Sequence, residues 1–251
     1  VQNGQVELNI NEHIAVITFS HPKSNSLPGK LLSGITHKIN EISQNEDVTV
    51  VLLKSEGKKA FCAGASFDEL LEIKDFETGK QFFMGFALLM NAMRKCPKFI
   101  IARVQGKTVG GGVGLASAAD YTIATKAASV KLSELALGIG PFVVGPAVKR
   151  KIGNTAFGEM SIDYDWHTAE WAERKGLYTK VLETIEEMDE EIEKIIDKLS
   201  RGSLEAMQQL KKILWEGTEH WDELLEKRAE ISGKLVLSEF TKNYIESFKR
   251  K

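Results

Sequence analysis

The chain has 251 residues, 43% hydrophobic and 27% charged, a composition that excludes disordered and fibrous classes and suits one main folded body. Its 33 basic and 35 acidic residues leave a formal net charge of −2, too little excess to hold nucleic acid or an anionic membrane non-specifically. The two cysteines, Cys62 and Cys96, have neither metal-ligand nor CxxC spacing, which argues against a disulfide framework. No apolar run is long enough to span a bilayer and the N-terminus has no signal-like pattern, so a cytoplasmic address is expected.

In chain order, "VELNI" (6–10) and "IAVITFS" (14–20) flank the turn-forming "NEH" and read as a hairpin. "PGKLLSGITHKINEIS" carries Leu31, Leu32, Ile35 and Ile39 at helical spacing, with Pro28 at the start that helices prefer. "VTVVLLKS" (48–55) and "KFIIARV" (98–104) are continuous apolar runs, the mark of strands buried on both faces. The segment between them reads as helix in two pieces, and the strand "YTIAT" (121–125) follows a glycine cluster and a short helix. The last third is helical. "MDEEIEKIIDKLSRG" sets Met188, Ile192, Ile195, Ile196 and Leu199 on one face, "SLEAMQQLKKILWEG" begins at a capping Ser203, and "HWDELLEKRAEISGKLVLSEFTKNYIESFKRK" completes the tail. The charge runs here read as solvated faces. The expected division is a core over residues 1–198 and a helical region over 199–251.

The glycine cluster "TVGGGVGLASAAD" (108–120) puts four glycines, Gly110, Gly111, Gly112 and Gly114, into five positions. A dinucleotide fingerprint would need a third glycine where Leu115 or Ser117 stands. A phosphate loop ending at "GKT" (106–108) would need one at Ile101, inside a strand. Two readings survive. One is a strand-to-helix turn whose unpartnered amides aim at an oxyanion; the other is a helix allowed to sit close on a sheet. "KAFCAGASFDEL" (59–70) makes a second strand–turn–helix junction with free amides, so two such turns could hold one oxygen between them.

With these segments in place, the sequence resembles the enoyl-CoA hydratase/isomerase family, the crotonase superfamily, over nearly the whole chain. The similarity lies in "HPKSNSL" (21–27), "AFCAGASFDEL", "VGGGVGLASAADYTIAT", "LSELALGIGPF" (132–142) and "HTAEWAERKGLYTKV" (167–181), in the family's order. The resemblance implies an α/β fold, a spiral of repeated ββα units with a C-terminal helical region that mediates trimers, assembled as a homotrimer or a dimer of trimers. It implies an acyl-CoA thioester as substrate, with CoA arriving as part of that substrate, no separate cofactor and no metal. The oxyanion amides fall on Ala65 and Gly111, CoA contacts on Ala63, Gly64 and Phe67, with Lys23 near its phosphates and Phe248 and Lys249 as tail residues reaching CoA across a subunit interface. Ser66 stands where the family often has Asp.

Hydratases of the family use two glutamates. By resemblance the first falls on Gly114, where it is absent, and the second on Glu134. Water addition needs an oriented water and a proton donor together, whereas moving a double bond from 3-enoyl to 2-enoyl needs one carboxylate to take and return a proton. Isomerisation with Glu134 as acid/base is therefore the favoured reaction; hydration, decarboxylation, thioester hydrolysis and non-catalytic acyl-CoA binding remain open. Leu132, Leu135, Leu137, Ile139, Phe142, Val143 and Val144 surround Glu134 in sequence and would raise its pKa. Phe76, Phe82, Phe83, Phe86 and Met90 either line an acyl pocket or form core. "DYDWH" (163–167) reads as a loop and a helix cap, and His13, His21, His37 and His220 carry no assigned chemistry.

Overall fold

The computed structural model describes residues 4–249, with side chains through residue 247; the side chains of Phe248 and Lys249 lie outside that description. The hairpin of β1 (Gln5–Asn11) and β2 (Ile14–Ser20) forms as read, with Glu12 at positive φ in its turn. Helix α1 (Gly29–Ser43) follows with Pro28 at its N-cap, burying Leu31, Leu32, Ile35, Ile39 and Ile42.

Three strand–strand–helix units come next. They are β3 (Val50–Ser55) and β4 (Ala60–Cys62) with α2 (Phe67–Glu72) and α3 (Phe76–Lys95); β5 (Phe99–Val104) and β6 (Lys107–Val109) with α4 (Gly111–Ala118); and β7 (Tyr121–Thr125) and β8 (Val130–Lys131) with α5 (Gly145–Ile162). The first strand of each unit joins a six-stranded sheet of order β1-β2-β3-β5-β7-β9, in which β9 (Lys180–Leu182) forms the far edge. The second joins a smaller sheet of order β4-β6-β8. Every pairing after the hairpin is parallel. The chain thus advances one step in both sheets with each unit, which is the spiral.

The large sheet is covered on both faces, as the unbroken apolar runs of β3 and β5 require. Val51, Leu53, Ile100 and Ala102 enter the main core. Val50, Leu52, Ile101 and Ile123 meet Met188, Ile192 and Ile196 of α7 (Ile185–Ser200) on the other side. Helix α6 (Ala169–Arg174) is capped by Thr168. The tail is α8 (Leu204–Leu214), capped by Ser203 as read, then α9 (Trp221–Leu235) and α10 (Glu239–Lys249). Helix α9 lies along α3, and α10 reaches α2.

Candidate active site

The small sheet determines where the site lies. Its three parallel strands end side by side, and each runs straight into a segment singled out from the sequence: β4 into Ala63-Gly64-Ala65, β6 into Gly110-Gly111, and β8 into Ser133-Glu134. The ends of parallel strands are where backbone amides and helix N-termini are free to face a ligand. Here they open onto one cavity of about 390 Å³, a size suited to a small-molecule ligand.

Two glycines fit these turns together. Gly64 has φ of +85°, and a Cβ there would stand 2.9 Å from the Val109 carbonyl and 3.5 Å from the Gly111 nitrogen, so the two turns are in direct contact. Gly110 has φ of +51°, and its Cβ would come 2.9 Å from Glu134 Oε1. Both positions combine a left-handed backbone with no room for a side chain. Gly111 opens α4, so its amide has no intrahelical acceptor. Among the described residues the Ala65 amide meets no backbone acceptor either. Ser66, at the position where Asp is frequent, caps α2 by accepting from the Glu69 amide.

Glu134 is the acidic side chain in the cavity wall. Its Oε2 is inside the protein and has no hydrogen-bond partner among the described residues. Burial pushes its carboxyl up from the usual range to about 7, partly offset by the nearby amides of Glu134 itself and Ser133. Leu137, Phe142, Val143 and Val144 supply the apolar surroundings, while Leu135 turns outward and is 46% exposed.

Gly114 lies outside the cavity wall, on the buried face of α4. A Cβ at this position would meet Val144 Cγ1 at 2.6 Å and Val144 Cβ at 2.8 Å. Any side chain at this position would first have to displace Val144.

Of the sequence-derived candidates, Ala63, Gly64, Ala65, Phe67, Gly111 and Glu134 all line this cavity. Lys23 does not; it stands at the surface, 65% exposed, in an ion pair with Asp68. Phe83 and Phe86 line the cavity, whereas Phe76, Phe82 and Met90 do not. Residues missed from sequence include Lys131, Tyr164, Trp166, Ser232 and Tyr244, which also contribute to the wall. Tyr164 and Trp166 belong to "DYDWH", which forms a loop held to β8 by paired 2.9 Å backbone bonds between Val130 and His167. Among the described residues no cluster of three or more His, Cys, Asp or Glu side chains is arranged to hold a metal ion. No helix among them is long and apolar enough to cross a membrane.

The sequence model of the enoyl-CoA hydratase/isomerase family matches residues 9–248. The chain belongs to that family. It is 32% identical over 178 residues to a short-chain-enoyl-CoA hydratase from Clostridium acetobutylicum, covering 70% of this chain and 68% of the relative. It is 37% identical over 134 residues to a Bacillus subtilis protein named for enoyl-CoA hydratase/isomerase, covering 52% of this chain and spanning about half, 50%, of that relative. The fold of this family member superposes on a crystal structure of enoyl-CoA hydratase from Bacillus halodurans with a TM-score of 0.89 at 22% identity, over 96% of this chain and 99% of the other. The spiral of ββα units is therefore the crotonase fold.

Proposed function

We propose that this cavity binds an acyl-CoA thioester and shifts its double bond from the 3-enoyl to the 2-enoyl position, with Glu134 as the single acid/base. The observation that carries the reading is the pairing of a desolvated Glu134 carboxyl, whose Oε2 is unpartnered among the described residues, with a Gly114 position packed against Val144. A hydratase of the two-glutamate kind would need a second carboxylate there, where glycine stands packed against Val144.

In this reading the amides of Ala65 and Gly111 donate to the thioester oxygen. The Glu134 carboxylate removes a proton from C2, the C2–H electron pair enters the thioester as an enolate, and the two amides receive the developing charge. Two such pre-aimed donors contribute about 3 to 4 kcal/mol each to an oxyanion-like transition state. The protonated Glu134 then returns the proton to C4 as the double bond settles between C2 and C3. One proton leaves and one returns, so no water or redox partner is consumed. A carboxyl near pH 7 is matched to both halves of this shuttle. The turn at Ala63, Gly64 and Phe67 receives CoA, which needs no separate cofactor beside it; Lys23 serves its phosphates from the surface. By the same family reasoning the assembly is a homotrimer or a dimer of trimers, measurable by light scattering.

Hydration of a 2-enoyl-CoA is the second reading, favoured by the name of the Clostridium relative. The deciding experiment compares the wild type with Glu134→Gln on a 3-enoyl-CoA. Loss of about 10²- to 10⁴-fold in kcat with little change in KM is expected from removal of the base. A mutant that keeps its full isomerisation rate contradicts the assignment.

A further inference from the structure

The cavity wall holds a cation that the proton shuttle does not use. Lys131 ends β8, three residues before Glu134, and contributes to the wall of the same cavity. Its carbonyl accepts from the Gly110 amide at 2.9 Å, which fixes the lysine backbone against the turn that presents Gly111. The ammonium lies 5.9 Å from the centroid of the Trp166 ring, whose other cationic neighbour is Lys107 at 5.1 Å. Neither lysine has a carboxylate within ion-pair distance among the described residues.

An ammonium without a counter-ion is an unusual choice for a wall otherwise dominated by Phe, Leu, Val and Ala. Its position also bears on the energetics of any acidic substrate. A carboxylate entering a cavity that already holds Glu134 would be opposed by like charge, and a nearby ammonium offsets that repulsion. Trp166 restrains the lysine through its ring face without neutralising it.

We propose that Lys131 is a specificity residue that receives an anionic group of the substrate, and that the preferred substrate is an acyl thioester whose acyl group bears a second carboxylate. Lys131 ends the strand that runs into Glu134, and its carbonyl holds the Gly110 amide next to Gly111. The Ala63–Phe67 turn, on which the CoA reading rests, lies across the small sheet at β4. This proposal depends on the acyl-thioester reading above but not on which reaction follows.

Binding to non-reacting saturated probes separates the two. Calorimetric titration with CoA, pentanoyl-CoA and glutaryl-CoA compares chains that differ by a terminal methyl against a carboxylate. Wild type is expected to bind glutaryl-CoA about tenfold or more tightly than pentanoyl-CoA. Lys131→Met should abolish that preference, and Lys131→Arg should keep most of it; a melting temperature measured for each variant establishes that it is folded. Equal wild-type affinity for the two thioesters overturns the proposal. So does a Met variant that weakens CoA itself as much as glutaryl-CoA, because the lysine would then be reading the phosphates of CoA. Failure of all three probes to bind would instead overturn the acyl-thioester reading beneath it.

Discussion

Glu134 shows how one residue trades stability for chemistry. Its carboxyl titrates near 7 inside the protein, whereas a carboxyl in the unfolded chain titrates near 4.5. The native state therefore binds the proton more tightly between those two values, and stability falls as pH rises through that window. Glu134→Gln removes the charge, so its melting temperature relative to wild type should be higher at pH 8 than at pH 5. An equal difference at both values would mean that the carboxylate is not desolvated. For catalysis the sign is opposite: the base must be ionised to accept the C2 proton, so kcat/KM should fall about tenfold for each pH unit below 7. Gly114 gives the complementary test. Gly114→Ala should cost about 1–3 kcal/mol in urea unfolding through the clash with Val144, and the added change Val144→Ala should recover part of it. Both residues are legible through the family resemblance, whose two glutamate positions fall on Gly114 and Glu134. Lys131 was not legible, since a lysine at a strand end ordinarily points to water, and only the fold reveals that this one lines a cavity.

Among the elements, those with a clean period were readable and those without were not. Continuous apolar runs gave β3 and β5, and the 3.6-residue stripe with its cap gave α7 and α8. Helix α5 has no clear sequence signature because Gly153, at φ of +74°, breaks it within its length. The loop at 163–167 is legible as a loop, but its aromatics reach the cavity because His167 pairs with Val130 across a distance in sequence no local pattern encodes. The crossing of α3 and α9 was equally hidden. A Cβ on Gly233 would stand 2.6 Å from the Lys80 amide nitrogen, and one on Gly79 would stand 2.8 Å from the Gly233 carbonyl. The helices touch backbone to backbone there, and the neighbouring Ser232 forms part of the cavity wall. Gly233→Ala should force them apart, at a cost of about 1–3 kcal/mol by urea unfolding, and raise KM for an acyl-CoA more than it lowers kcat. An unchanged stability would mean that the crossing relaxes freely.

At the scale of the whole molecule, the helical tail is bound into the body through a buried ion pair. Asp120, just after α4, accepts from the Ile100 amide, from Trp215 Nε1 at 2.9 Å and from Lys211 Nζ at 2.8 Å. The Lys211 and Asp120 side chains are 3% and 5% exposed, so loss of either partner strands a charge in the interior. Lys211→Met should destabilise the protein by about 3–5 kcal/mol. In a Trp166→Phe/Trp171→Phe background, the fluorescence of Trp215 and Trp221 in the tail should change in the same transition as far-UV circular dichroism of the whole chain; separate transitions would make 199–251 an independent unit. The ββα spiral was foreseeable from family resemblance and from alternating elements, but the division of its strands between two sheets was not. That division brings the ends of β4, β6 and β8 to one cavity, lined by Ala65, Gly111 and Glu134, while Gly114 packs against Val144 outside its wall. The most direct test of that arrangement is to measure, on the same purified protein, isomerisation of a 3-enoyl-CoA and hydration of the corresponding 2-enoyl-CoA. Isomerisation should be the faster by about 100-fold or more and should depend on Glu134; hydration as fast as isomerisation would contradict a site built around a single base.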